Sequence, residues 1–288
     1  MNFGINTFLF TSPFTNESVS WFPQFKAWGF DSVEIALEDP ANIDPEFIRQ
    51  ELDKHELTCT TICAAMGPGR DLRGSRDDQE RALSYITSLF AVMPILGATM
   101  LVGPLYSSVG RAEQVTAAEN KEQWLTVITH IRALATKAER AGLKLALEPL
   151  NRFETDFLNT TAQAIALVKA INSPAVGVHL DTFHMNIEEK SLPEAIRLCG
   201  PLLWHFHACG SDRGTPGNDH TDWEGIVEAL HSVHYQNDIV IESFTTDVQV
   251  IAKAAAIWRD IEKSREEIAR AGLTFLKGIF MEPETLVR

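Results

Sequence analysis

The sequence predicts an α/β fold of the (β/α)8 kind, a closed TIM barrel, on three observations. A short apolar run followed by a longer amphipathic run recurs eight times along the 288 residues. The short runs suit strands, and the long ones carry helical periodicity. No linker or low-complexity stretch divides the chain. The Gly-rich fingerprint that an open doubly wound sheet carries after its first strand is missing, since the first βα loop reads FTSPFTNES. Eight undivided units at this length favour closure into a barrel over the open sheet.

In order, FGINTFL precedes SVSWFPQFKAWG, with Ser18 a candidate N-cap and Gly29 a stop. SVEIAL precedes DPEFIRQELDKHE, where Asp44 reads as N-cap and Pro45 as the first helical position. TCTTIC, a β-branched run whose Cys59 and Cys63 point the same way, precedes DDQERALSYITSLFAVMPILG. ATMLVGP precedes a long helical run from Glu113 to a stop at Gly142. KLALE precedes TAQAIALVKAI, AVGVHLD precedes LPEAIRLCG, LLWHFHA precedes DWEGIVEALHSV, and DIVIE precedes VQVIAKAAAIWRDI. Residues 262–288, with EEIARAGLTFLKGIF, lie beyond the eighth unit. They read as an added C-terminal helical segment that closes the barrel or packs against a partner chain, and 1–288 reads as a single barrel domain.

A hydrophobic fraction of 45% fits a sizeable buried core. The formal net charge of -14 repels phosphate backbones and anionic lipid, which argues against nucleic-acid and membrane-surface partners. No apolar run reaches the roughly 18 residues of a membrane span. MNFGINTFLF runs straight into a strand without a charged leader, so a cytoplasmic location is expected. Cys59, Cys63, Cys199 and Cys209 form no CxxC pair and read as buried free thiols.

A barrel collects its chemistry at the C-terminal ends of its strands. Strands five to eight end at Glu148, Asp181, His207 and Glu242. Side chains alternate along a strand with period two. Leu145 and Leu147, Val178 and Leu180, Trp204 and Phe206, and Ile239 and Ile241 take the face toward the helices. The four polar residues then share the inward face. Three inward carboxylates repel one another and take up protons unless a cation sits among them. Three carboxylates and one imidazole are mostly hard donors. They suit Mn2+ or Mg2+, with Co2+ tolerated. His179 and His205 lie in phase with these four but deeper, as core or supporting histidines.

LEPLNRFET, HLDTFHMNIEE, HFHACGSDRGTPG and VIESF resemble the ketose 3-epimerases, the D-tagatose, D-allulose and L-ribulose 3-epimerase group. The match runs from about Leu143 to Asp260; the N-terminal half shares the barrel layout and GPLY after strand four. The resemblance implies a barrel, a bound Mn2+ or similar ion, and free ketose substrates. It implies metal ligation by Glu148, Asp181, His207 and Glu242, acid/base roles for Glu148 and Glu242, and substrate-hydroxyl contacts from Glu154, His184 and Arg213. At Gly210 many members of the group carry Glu, and Cys209 beside it stands where a small Gly is common.

Epimerising C3 of a ketose removes the C3 proton and returns one to the opposite face. A metal on O2 and O3 would stabilise the enediolate, and two bases, one on each face, are needed. Glu148 and Glu242 fit that requirement. An aldose–ketose isomerase, or a keto-sugar dehydratase on the same barrel, is the alternative enzyme. A catalytically silent sugar-binding protein is the alternative from another class. The pocket wall is expected near Phe8, Phe10, Cys63, Met66, Leu105 and Phe244, and a homodimer or homotetramer is expected.

Overall fold

A computed structural model describes residues 1–281. The end of the predicted C-terminal segment, 282–288, lies outside the described residues. Eight strands pair in parallel in chain order, and the last closes onto the first. They are β1 (Phe3–Asn6), β2 (Ser32–Leu37), β3 (Thr61–Ala64), β4 (Met100–Gly103), β5 (Lys144–Leu147), β6 (Val176–Asp181), β7 (Leu203–Ala208) and β8 (Ile239–Ile241). The helices are α1 (Phe22–Trp28), α2 (Pro45–Lys54), α3 (Arg76–Leu96), α4 (Ala117–Arg140), α5 (Thr161–Ile171), α6 (Thr182–Glu188), α7 (Leu192–Cys199), α8 (Trp223–Ser232), α9 (Gln249–Ala254) and α10 (Arg265–Met281). The (β/α)8 barrel expected from the sequence is the fold observed.

Helix ends follow the local chemistry. Asp44 caps α2 by accepting from the Glu46 and Phe47 amides, with Pro45 behind it. Gly29 ends α1 with φ of 96°, a left-handed conformation that favours glycine. Ser18 is no N-cap. Thr15 caps a 3-10 turn over Asn16–Trp21, and Ser18 closes the capping box from inside it.

Two apolar layers confirm most of the predicted strand phase. Leu145, Leu147, Val178, Leu180, Phe206, Ile239 and Ile241 belong to the large core between strands and helices. Ala36, Cys63, Met100, Val102 and Ala146 form a separate cluster inside the barrel. Cys59 packs in the outer layer and Cys63 in the inner one, so the two do not point the same way. Cys59 lies ahead of β3, where strand alternation does not yet apply. All four cysteines are buried free thiols.

Trp204 departs from the predicted phase. Val178 pairs with Leu203 but His179 pairs with His205, a register shift that leaves Trp204 as the extra residue of a bulge. Trp204 and His205 therefore both face inward. The indole packs against the inner cluster, with the Lys144 ammonium 5.1 Å from its ring centre. Gly177 lies opposite, where any Cβ would collide with the Trp204 ring.

The last outer helix also differs. The sequence puts the eighth helix at VQVIAKAAAIWRDI, but α9 is short and lies across the barrel mouth, with Val250, Ile251 and Ala254 facing the cavity below. The ring position belongs to α10, which packs on α8, β1 and β8 and buries Ile268, Leu273 and Leu276. No helix among the described residues is long and apolar enough to cross a membrane.

Candidate active site

Glu148 follows β5 directly, Asp181 ends β6, His207 is the penultimate residue of β7, and Glu242 follows β8 directly. Parallel pairing sets Asp181 beside His207. Each of the four offers a ligand atom within 4.8 Å of the others, and all four are buried. His207 Nδ1 lies 3.3 Å from Glu242 Oε2 and 3.7 Å from Asp181 Oδ2. The Glu148 backbone is pinned by Tyr106 of the GPLY segment, whose hydroxyl donates to its carbonyl at 2.9 Å. Asp181 Oδ1 accepts from the Phe183 and His184 amides and starts α6, which leaves Oδ2 for the site.

The electrostatics are those of a crowded acidic centre. Burial and the charge of Glu242 push the Glu148 carboxyl well above its usual range. Burial pushes the Asp181 carboxyl up too, but Arg213, His207 and His184 hold it well below the usual carboxylate range. Burial pulls the His207 imidazole down, and Glu34 and Glu242 overcome that and hold it well above its ordinary value. Glu148 Oε1 and His207 Nδ1 are buried without hydrogen-bond partners, and both belong to this cluster. Unpartnered donors among converging carboxylates fit a divalent cation.

The predicted contact residues gather on one side. Arg213 is buried, with Nη1 2.8 Å from Asp181 Oδ2 and 3.3 Å from Glu242 Oε2. Its guanidinium lies between the Phe183 and Phe244 rings, at 4.3 and 4.7 Å. His184 Nε2 sits 2.8 Å from Arg213 Nη2 and 3.8 Å from Glu148 Oε1. Its Nδ1 lies 3.1 Å from the Asn151 amide nitrogen, which donates to it. Glu154 accepts from Asn151 Nδ2 at 2.8 Å. Arg152 pairs with Glu188 instead, so Glu154 is not spent on its sequence neighbour.

Glu148, Glu154, His184, Arg213 and Glu242 line one cavity of ≈ 390 Å³. Phe8, Cys63, Met66 and Phe244 supply apolar wall as expected. Phe10 and Leu105 do not. Phe10 packs 4.7 Å from Trp21 beside α1, and Leu105 is part of the outer core. At Gly210 the loop after β7 closes tightly: Arg213 N donates to Gly210 O and Gly210 N to Gly214 O. A Cβ at 210 would sit 2.9 Å from Thr215 O, so the chain there requires glycine. Arg213 itself takes φ of 71°, a conformation costly for a non-glycine residue and held by the packing around it. Cys209 is locked behind the site, its amide donating to the Thr182 hydroxyl and its carbonyl accepting from it.

The structure adds two residues that were not singled out from the sequence, Asn6 and Glu34. Asn6 Nδ2 donates to Glu34 Oε1 at 2.8 Å and to Glu242 Oε1 at 3.2 Å. A carboxylate at an inward position of the otherwise apolar SVEIAL was the available signal.

Residues 22–279 match the xylose isomerase-like TIM barrel family. A probable ketose 3-epimerase from Synechocystis sp. is 34% identical over 280 residues, covering 96% of each chain. The chain belongs to this family, in its ketose 3-epimerase group. An L-ribulose 3-epimerase structure superposes with a TM-score of 0.91 at 27% identity, over 97% of this chain and 94% of that one. A D-psicose 3-epimerase structure with D-tagatose, from Clostridium cellulolyticum, gives 0.89 at 28% identity, over 97% and 99%. The group's members are isomerases, and this chain is an enzyme of that class.

Proposed function

We propose that the chain epimerises free ketoses at C3, using a divalent ion held by Glu148, Asp181, His207 and Glu242, with Glu148 and Glu242 as the acid/base pair. The observation that carries this reading is the convergence of those four side chains, within 4.8 Å of one another, at a cavity lined by Glu148 and Glu242. The oxygen-rich donor set favours Mn2+, with Mg2+ or Co2+ as substitutes. When bound, the ion would supply Lewis-acid stabilisation of the negative charge that develops on the sugar's carbonyl oxygen as C3 loses its proton.

The chain's own residues do the rest. Glu148 and Glu242 rise from strands three apart on the rim, and both border the cavity. A sugar seated between them turns opposite faces of C3 to the two carboxyls. One takes the C3 proton while the other delivers one, and the roles exchange in the reverse direction. Arg213, His184 and Glu154 bind the sugar's hydroxyls from one side. Phe8, Met66 and Phe244 provide the apolar wall that shields the reacting carbon from water. The whole works as one barrel domain, with α10 (Arg265–Met281) as its closing helix.

The test is turnover of a panel of free ketohexoses and ketopentoses with Mn2+ in heavy water. The expected product carries solvent deuterium at C3, because the proton returned is not the one removed. An unlabelled C3 with label at C1 would assign aldose–ketose isomerisation instead. Binding without turnover of any sugar would make the chain a sugar-binding protein.

A further inference from the structure

Below the four converging side chains lies a second buried layer that the mechanism above does not use. Glu34, in the middle of β2, is 1% exposed and points into the barrel axis. Its Oε1 is 2.7 Å from His207 Nε2, and its Oε2 is 2.7 Å from His205 Nε2. Thr61 Oγ1 donates to Oε2 at 2.7 Å, and Asn6 Nδ2 donates to Oε1. The orientation of the Asn6 amide is settled independently, because its Oδ1 accepts from the Phe8 amide at 2.8 Å. Its NH2 therefore faces both Glu34 and Glu242.

We propose that Glu34 is the positioning residue of the metal centre: its carboxylate holds the Nε2–H of His207 and so commits Nδ1 to the ion. This rests on the four-residue metal reading above. An ionised carboxylate is an acceptor only, so an imidazole against it must present N–H there, and in the neutral ring the other nitrogen is then bare. The nitrogen that becomes bare once an ion displaces its proton is the one facing Asp181 and Glu242. Through Asn6 the same carboxylate is tied to Glu242 Oε1. One buried anion thus orients an imidazole ligand and a carboxylate ligand from two different strands. Partners of this kind behind a ligating histidine raise metal affinity by about ten- to hundredfold.

The test compares the full-length protein with Glu34→Gln. A carboxamide keeps the shape but presents an NH2 either to His207, which then loses its acceptor, or to His205 and Thr61; in both arrangements the anion that holds the His207 imidazole is gone. Co2+ titration of the ion-free proteins, followed by visible absorption, should show one equivalent per chain in the parent. The variant should bind about ten- to hundredfold more weakly, with an altered ligand-field spectrum. Nitrogen-15 NMR of the parent loaded with diamagnetic Zn2+ should show the His207 ring protonated at Nε2 and ligated at Nδ1. That measurement decides the matter even if the variant does not fold. An unchanged affinity and spectrum in Glu34→Gln, or a ring ligated through Nε2, would overturn the role of Glu34. So would two equivalents of Co2+, because Glu34 and the histidines around it would then be ligands themselves. A parent that binds no Co2+ would instead remove the metal reading on which the proposal stands.

Discussion

Arg213→Ala removes a guanidinium buried against two carboxylates, 2.8 Å from Asp181 and 3.3 Å from Glu242. Removing one partner of a buried ion pair destabilises a protein by about 3–5 kcal/mol, and a loss of that order is expected for the ion-free protein at neutral pH. Burial alone would push the Asp181 carboxyl up, and Arg213 is the main group opposing it. A divalent ion among the same carboxylates would replace the missing positive charge. The loss at saturating Mn2+ should therefore be smaller. Linkage then requires the variant to bind Mn2+ more tightly than the parent, tenfold for every ~1.4 kcal/mol by which the ion narrows the gap. Turnover should still fall, because the side chain also lines the cavity. Urea unfolding of both proteins in chelator and in excess Mn2+, with calorimetric titration of the ion, measures each quantity. Equal destabilisation with and without Mn2+, together with an unchanged Kd, would refute the claim that guanidinium and ion neutralise the same charge.

His207→Ala should lower bound metal and sharply reduce activity; equal metal content in variant and parent by elemental analysis would remove His207 from the centre. Mn2+ binding should tighten as pH rises. Burial and Glu242 raise the Glu148 carboxyl, while Glu34 and Glu242 raise His207 against the pull of burial, so each holds a proton that the ion must displace. A Kd that stays flat across about pH 5 to 8 counts against this assignment. Gly177→Ala should destabilise the barrel by about 1–3 kcal/mol through overpacking against Trp204. Denaturant melting checks it, and the loss should shrink when Trp204 is replaced by a smaller apolar residue.

The four converging residues were legible because strand alternation is a local rule. Glu148, Asp181, His207 and Glu242 each sit within one residue of a strand end, and the apolar residues beside them fix the phase. The role of Glu34 was not legible, although its inward position was. Within its own strand it is one polar residue between Val33 and Ile35, and the groups that give it meaning lie on β1, β3 and β7. Trp204 was misplaced for a related reason. A bulge shifts parity without any mark in composition, and it is visible only in how β7 pairs with β6. The two last helical runs are both amphipathic. Their exchange of place, α9 over the mouth and α10 in the ring, is decided by which of them reaches the gap between α8 and β1.

The bulge at Trp204 has a consequence for the order of events. The indole and Met100 fill the lower end of the barrel, and three closely packed imidazoles lie above them. An ion at Asp181 and His207 would face the cavity bordered by Glu148, Glu242 and Arg213, the space proposed for the sugar. On the proposed function, loading would be sequential, ion first and sugar second, with unloading in reverse. A seated sugar acts as the stopper. Chelator should strip the ion quickly from the resting enzyme and only slowly from one saturated with ketose.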